Sequence, residues 1–206
     1  MTKKLLLFTI LFLITHFINA QSKVTVYFIP GLGTDYRIFT HLELDDIYEI
    51  KYLHYVTPTK NATIKEFAHV MAKQIDTASK YVIVGASLGG MLATEMIEFM
   101  SPEKVILIAS AKSRLEFPNL YRFQKVIPLQ KLVSGEKIKK STGFLQSRVE
   151  PDCKNGDGIY ETMLDEKDPV FMKRAVNMIV NWDRVSCSDK IIHIYETRTI
   201  PYQYVK

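Results

Sequence analysis

Short runs of β-branched and other apolar residues alternate along this chain with stretches of helical period. Val24 to Ile29, Tyr48 to Tyr55, Tyr81 to Val84, Lys104 to Ala109 and Lys190 to Tyr195 each have the length and composition of a strand. Between the second and third, Ile64, Phe67, Ala68, Met71 and Ile75 recur at helical spacing. Thr63 stands where a cap belongs, and Glu66 three residues on completes a capping-box pattern, so a helix is predicted to start there. Strands joined by amphipathic helices imply an α/β architecture: a mostly parallel sheet with helices on both faces and functional loops at the carboxyl ends of the strands. The alternation stops between the fourth and fifth strands. Residues 111 to 187 read instead as a helical insertion, with an apolar stripe at Leu120, Phe123, Ile127 and Leu129 to Leu132, breaks at Pro118, Pro128 and Pro151, and a helix-like piece from Phe171 to Trp182. Trp182 is expected in the core.

The N-terminus has a different pattern. Lys3 and Lys4 precede an apolar run from Leu5 to Ile14, and a small residue, Ala20, stands before Gln21. This reads as a secretory signal peptide cut after Ala20, placing the product in the periplasm or outside the cell as a single domain of residues 21 to 206. A retained membrane anchor is the alternative, disfavoured because the run is short for a bilayer span. An uncleaved leader is the one membrane attachment expected.

Charge adds little. The formal net charge is +5 and falls to +3 without Lys3 and Lys4, which does not call for nucleic acid. The basic run Lys137-Ile138-Lys139-Lys140 reads as a solvated helix face. Cys153 and Cys187 lack metal-ligand spacing and allow at most one optional disulfide, so no metal or other cofactor is expected.

Candidate chemistry gathers at two strand ends. The third strand runs into Gly85-Ala86-Ser87-Leu88-Gly89-Gly90 and then into a helical pattern from Met91. A strand reversing sharply into a helix crowds the positions two before and two after the serine, which explains the glycines there and predicts an exposed, strained Ser87 facing the first N–H groups of the helix. After the first strand comes Pro30-Gly31-Leu32-Gly33-Thr34-Asp35-Tyr36. A dinucleotide loop is excluded because Tyr36 occupies the place of the third glycine, whereas two glycines can turn the backbone so that an N–H faces Ser87. Asp35 reads as a turn or cap residue.

With these two loops the chain resembles the α/β-hydrolase family, in particular small serine esterases, lipases and acyltransferases. The resemblance covers residues 23 to 112 strongly and the last strand weakly. It implies Ser87 as nucleophile toward an ester or related acyl bond of a small molecule, with the backbone N–H groups of Leu88 and Leu32 as oxyanion donors. It also implies that the insertion is a lid. The family pattern further expects an acid after the penultimate strand and a histidine after one more strand. Tyr195-Glu196-Thr197-Arg198 lacks that acid, and few residues remain before Lys206. The chain is therefore expected to lack the last strand and helix and to be an impaired hydrolase; the alternatives are a non-catalytic binding protein and an inactive frameshifted fragment. Restoring one G after a Tyr195 codon, with codons chosen to suit, turns residues 195 to 206 into Tyr-Gly-Asp-Lys-Asp-Asn-Ser-Leu-Pro-Ile-Cys-Lys, which carries the missing acid motif. Of the histidines, His54 lies nearest the site edge; His16 leaves with the leader, His41 and His69 fall on presumed helices, and His193 falls in a strand. Glu196 is the carboxylate nearest the acid's place.

Overall fold

A computed structural model describes residues 23–117, 133–149, 159–186 and 188–194. The leader, the stripe from Leu120 to Leu132, Pro118, Pro128, Pro151, both cysteines and Glu196 lie outside these residues. Five strands form one sheet: β1 (Val24–Ile29), β2 (Tyr48–Tyr52), β3 (Tyr81–Ala86), β4 (Lys104–Ile108) and β5 (Ile191–Ile194). Their order is β2-β1-β3-β4-β5 and every pairing is parallel. Burial follows position. Central β1 is buried at every residue after Val24, while edge strand β2 is exposed up to Tyr52.

The predicted elements differ from the observed ones mainly at their ends. β2 stops at Tyr52 rather than Tyr55 because the chain turns away from the sheet: the Leu53 amide donates to Phe28 O, and the His54 amide donates to the Gln74 side chain. β3 continues to Ala86, since Gly85 and Ala86 still pair with Leu107 and Ile108. β4 ends before Ala109, whose φ of 44° is not a strand conformation. His41 lies in a turn, not a helix.

Helix α1 (Ile64–Ala72) starts with the complete capping box. Thr63 Oγ1 accepts from the Glu66 amide at 3.1 Å, and the Glu66 carboxylate accepts from the Thr63 amide at 2.8 Å. Its apolar stripe, Ile64, Phe67, Ala68 and Met71, is buried together with Leu88 and Leu92 of helix α2 (Leu88–Met96) and with Tyr27, Ile83, Val105 and Leu107 of the sheet. Each large side chain in such a core contributes about 1.5–3 kcal/mol. The opposite face carries a smaller cluster, Val26, Phe28 and Val84, under Phe39 of a short 3-10 helix (Tyr36–Phe39).

Right-handed crossovers account for this division. The step from β1 to β2 runs one way across the sheet, while the steps from β2 to β3 and from β3 to β4 run the other way, so their connections fall on opposite faces. The direction changes between β1 and β3. Loops leaving the carboxyl ends of those two strands therefore diverge and leave a crevice, the usual ligand position in an open parallel sheet.

Between β4 and β5 lie a 3-10 turn (Arg114–Glu116) and helices α3 (Gly135–Val149), α4 (Ile159–Asp165) and α5 (Pro169–Asn181). The helix expected from Phe171 starts two residues earlier because Asp168 caps it, accepting from the Val170 and Phe171 amides. Trp182 is 3% exposed, and its Nε1 donates to the buried Glu95 of α2 at 2.7 Å. Arg184 adds an ion pair to Glu95 at 3.6 Å, binding this segment to the helix that follows Ser87. Among the described residues no helix is long and apolar enough to cross a membrane.

Candidate functional site

Ser87 stands between β3 and α2 with φ 46° and ψ −115°, a strained conformation for a residue with a side chain, and it is exposed. The strain persists because the surroundings over-determine the turn. The Ser87 amide donates to Ile108 O at 3.0 Å, and the Ser87 carbonyl accepts from the Gly90 and Met91 amides and from Ser110 Oγ at 2.6 Å. Glycines on either side permit the approach: a Cβ on Gly85 would lie 2.5 Å from Gly89 backbone atoms, and one on Gly89 would lie 2.1 Å from Ile29 O. A side chain at Gly85 would push α2 off β3, and one at Gly89 would push it off the end of β1.

Helix α2 begins at Leu88, so the Leu88 N–H is one of the first-turn donors that have no partner within the helix. Across the crevice, Gly31 approaches so closely that a Cβ there would lie 3.3 Å from Ser87 Cβ. Leu32 is next in that loop. Gly33 follows with φ 79°, a left-handed turn that glycine adopts freely. The structure thus places Ser87 and Leu88 on one turn and packs Gly31, the residue before Leu32, against it.

The Gly31 loop is held by partners from distant parts of the chain. Tyr55 Oη donates to Pro30 O at 2.6 Å; burial pushes the phenol's pKa up, so it stays a neutral donor. Asp35 caps the 3-10 helix through the Arg37 amide, as the sequence suggested, and pairs with the Arg37 guanidinium at 2.6 Å and with Lys167 at 3.3 Å. Burial alone would raise the Asp35 pKa, but the Arg37 hydrogen bonds and the Lys167 charge outweigh it and hold the carboxyl at about 2. Arg37 also pairs with Glu166. Beside this loop lies a cavity of about 350 Å³, lined by Pro30, Asp35, His54, Tyr55, Lys167 and Phe171 among others.

His54 lines that cavity and is exposed, its backbone tied at both ends to the Gln74 side chain. His193 sits in β5 with its side chain 5% exposed, 3.8 Å from the Glu116 carboxylate. Burial lowers its pKa against the pull of Glu116 and a backbone hydrogen bond at Ser110, leaving the ring neutral at pH 7. His69 stacks on Phe99 on the α1 surface. Among the described residues no group of three or more His, Cys, Asp or Glu could hold a metal ion. Ser110, Tyr55 and Lys167 were not foreseen: their contacts span 23, 25 and 132 positions of sequence, and no local pattern announces them.

No family model matches the chain. A curated protein of Mycoplasma pneumoniae, named for an inferred esterase/lipase activity, is 25% identical over 193 residues, which is 87% of this chain and 66% of that protein. The chain thus spans just under two thirds of that relative's length. Among solved structures, MenH from S. aureus superposes with a TM-score of 0.61 at 13% identity, covering 81% of this chain and 70% of its own. A hydrolase from Pseudomonas aeruginosa gives 0.55 at 13% identity, covering 78% and 65%; the enol-lactonase from Burkholderia xenovorans gives 0.53 at 12%, covering 79% and 66%. The chain has the α/β-hydrolase fold. In this α/β-hydrolase fold, Ser87 occupies the turn from strand to helix at the crevice where the strand order reverses.

Proposed function

We propose that this protein is a serine hydrolase that cleaves an ester or related acyl bond of a small molecule through Ser87. The observation that carries the reading is the pairing of a strained, exposed serine with a glycine loop packed directly against it. Such a turn costs stability and has no packing purpose, whereas a nucleophile needs an unobstructed hydroxyl. Ser87 Oγ attacks the acyl carbon as its proton passes to a base, and the carbonyl oxygen becomes an oxyanion accepting from the Leu88 and Leu32 N–H groups. Collapse expels the alcohol or thiol with a proton, and water then releases the acid from the acyl-serine. Residues 195 to 206, where the family pattern puts the acid, lie outside the described residues. A serine without a base is a weak nucleophile, so the described residues alone are proposed to support slow acylation, best seen with activated substrates.

The same proposal makes the helices between β4 and β5 a lid: Leu164 and Met172 reach the Gly33 loop, and Phe171 packs on Tyr55 with ring centres 5.1 Å apart. Residues 1 to 20 are proposed as a cleaved secretory leader, which mass spectrometry of the exported protein would test by finding Gln21 as the first residue. A fluorophosphonate probe tests the chemistry. Labelling that vanishes in Ser87→Ala supports the serine hydrolase, and absence of labelling in well-folded protein favours the non-catalytic binding alternative.

A further inference from the structure

The turn that carries the Leu32 N–H is closed from within. Thr34 donates twice to Gly31 O, through its amide at 3.3 Å and its hydroxyl at 3.1 Å. The closing bond therefore leaves the Leu32 N–H out of the turn's own pairing. Closure sets the shape of the turn but not its orientation over the sheet, which is decided one peptide earlier, at Pro30–Gly31. A peptide unit is planar, so the direction of the Pro30 carbonyl sets the plane from which the turn departs. Gly31, without a Cβ, leaves that plane a wide range of φ and ψ unless something outside the loop holds it.

The Tyr55 hydroxyl holds it, donating to Pro30 O at 2.6 Å. The same carbonyl oxygen lies 2.6 Å from where a Cβ on Gly89 would stand, so it is caught between the hydroxyl and the opening of α2, the helix that follows Ser87. Tyr55 can fix a carbonyl because it is itself fixed. Its ring packs on Phe67 of α1 and Phe171 of α5, with centres 6.2 and 5.1 Å away. The amide and carbonyl of His54, the residue before it, are bound to the two ends of the Gln74 side-chain amide at 2.9 and 3.0 Å. Tyr27 offers a contrast. Its hydroxyl also binds main chain, accepting from the Asp76 amide at 2.9 Å, but Asp76 lies between α1 and the amino end of β3, away from the strand end that carries Ser87.

We propose that Tyr55 is a positioning residue for acylation, its hydroxyl orienting the Pro30–Gly31 peptide so that the Leu32 N–H meets the oxyanion formed at Ser87. The inference rests on the reading of Ser87 as the nucleophile. Fluorophosphonate labelling of the full chain, followed over a range of probe concentrations, tests it in Tyr55→Phe, which keeps the ring and removes the donor. The expected result is a fall of at least about tenfold in the maximal labelling rate, with the probe concentration for half that rate changed by less than about twofold. Tyr27→Phe, which also loses one hydroxyl bond to main chain, should leave both quantities unchanged. Circular dichroism checks that each variant is folded. A Tyr55→Phe protein that labels at the parent's maximal rate, that is slowed only through weaker probe binding, that is slowed no more than Tyr27→Phe, or that fails to fold would each overturn the positioning role while the labelled parent still supports the serine hydrolase. Folded parent that stays unlabelled would overturn both.

Discussion

Two loops face each other across the crevice, and they are held in place by different physics. The Ser87 turn is fixed by backbone close-packing: glycines at 85 and 89 where a Cβ would meet main-chain atoms at 2.5 and 2.1 Å, and hydrogen bonds from the Ser87 amide to Ile108 O and from Ser110 Oγ to Ser87 O. The Gly31 loop is fixed by side chains and charge, through Tyr55, Arg37 and Lys167. Sterics of the first kind do not depend on pH or salt and tolerate no added atom. Charge pairs of the second kind respond to both and tolerate conservative change. Under the proposed function the nucleophile thus sits on the rigid side, and the proposed oxyanion loop lies on the adjustable side.

The largest effect should come from adding one carbon on the rigid side. Gly89→Ala places a methyl 2.1 Å from Ile29 O, so it should lower stability by about 3 kcal/mol or prevent folding, measured by urea unfolding. A loss under about 0.5 kcal/mol would mean that α2 can shift on β1 and that the turn is not over-determined.

The charged side should give a smaller, pH-dependent effect. Asp35 has a folded pKa of about 2, below its ordinary 3.8, so its contribution is fully present above pH 4 and is lost as the pH falls toward 2. Discounted for its partial exposure, that contribution is about 1–2 kcal/mol. Asp35→Asn should remove this part of the acid transition, while Ser110→Ala should not. Unfolding measured from pH 5 to pH 2 in both variants checks the contrast.

Ser110→Ala should cost about 1 kcal/mol by leaving the Ser87 carbonyl one donor short, and should slow fluorophosphonate labelling more than it lowers stability. Smallest of all, Lys51→Ala, which removes an exposed pair with Glu49 at 3.2 Å, should change stability by less than about 0.5 kcal/mol.

The same contrast explains what could be read from the sequence. The rigid side is written locally: the strand run before Gly85, the spacing of Gly85, Ser87 and Gly89, and the box at Thr63 and Glu66 all act within a few residues, and each forms as expected. Asp35 was legible as a cap because its acceptor role reaches only to Arg37. Its second partner, Lys167, lies 132 residues away and depends on how the β4-to-β5 helices settle over the crevice. The end of β2 was misplaced for a similar reason. Leu53 and Tyr55 are strand-like by type, yet the tertiary bonds of Leu53 to Phe28 and of Tyr55 to Pro30 draw them out of the sheet.

The central claim is that Ser87 is a nucleophile on the rigid side of this crevice. Its most direct test is fluorophosphonate labelling followed by mass spectrometry of the peptides, on the full chain and on Ser87→Ala with circular dichroism as a folding check. The account predicts a single phosphonylated residue, Ser87, and no labelling of the variant. Folded protein that stays unlabelled, or a label on another residue that persists in Ser87→Ala, would contradict it.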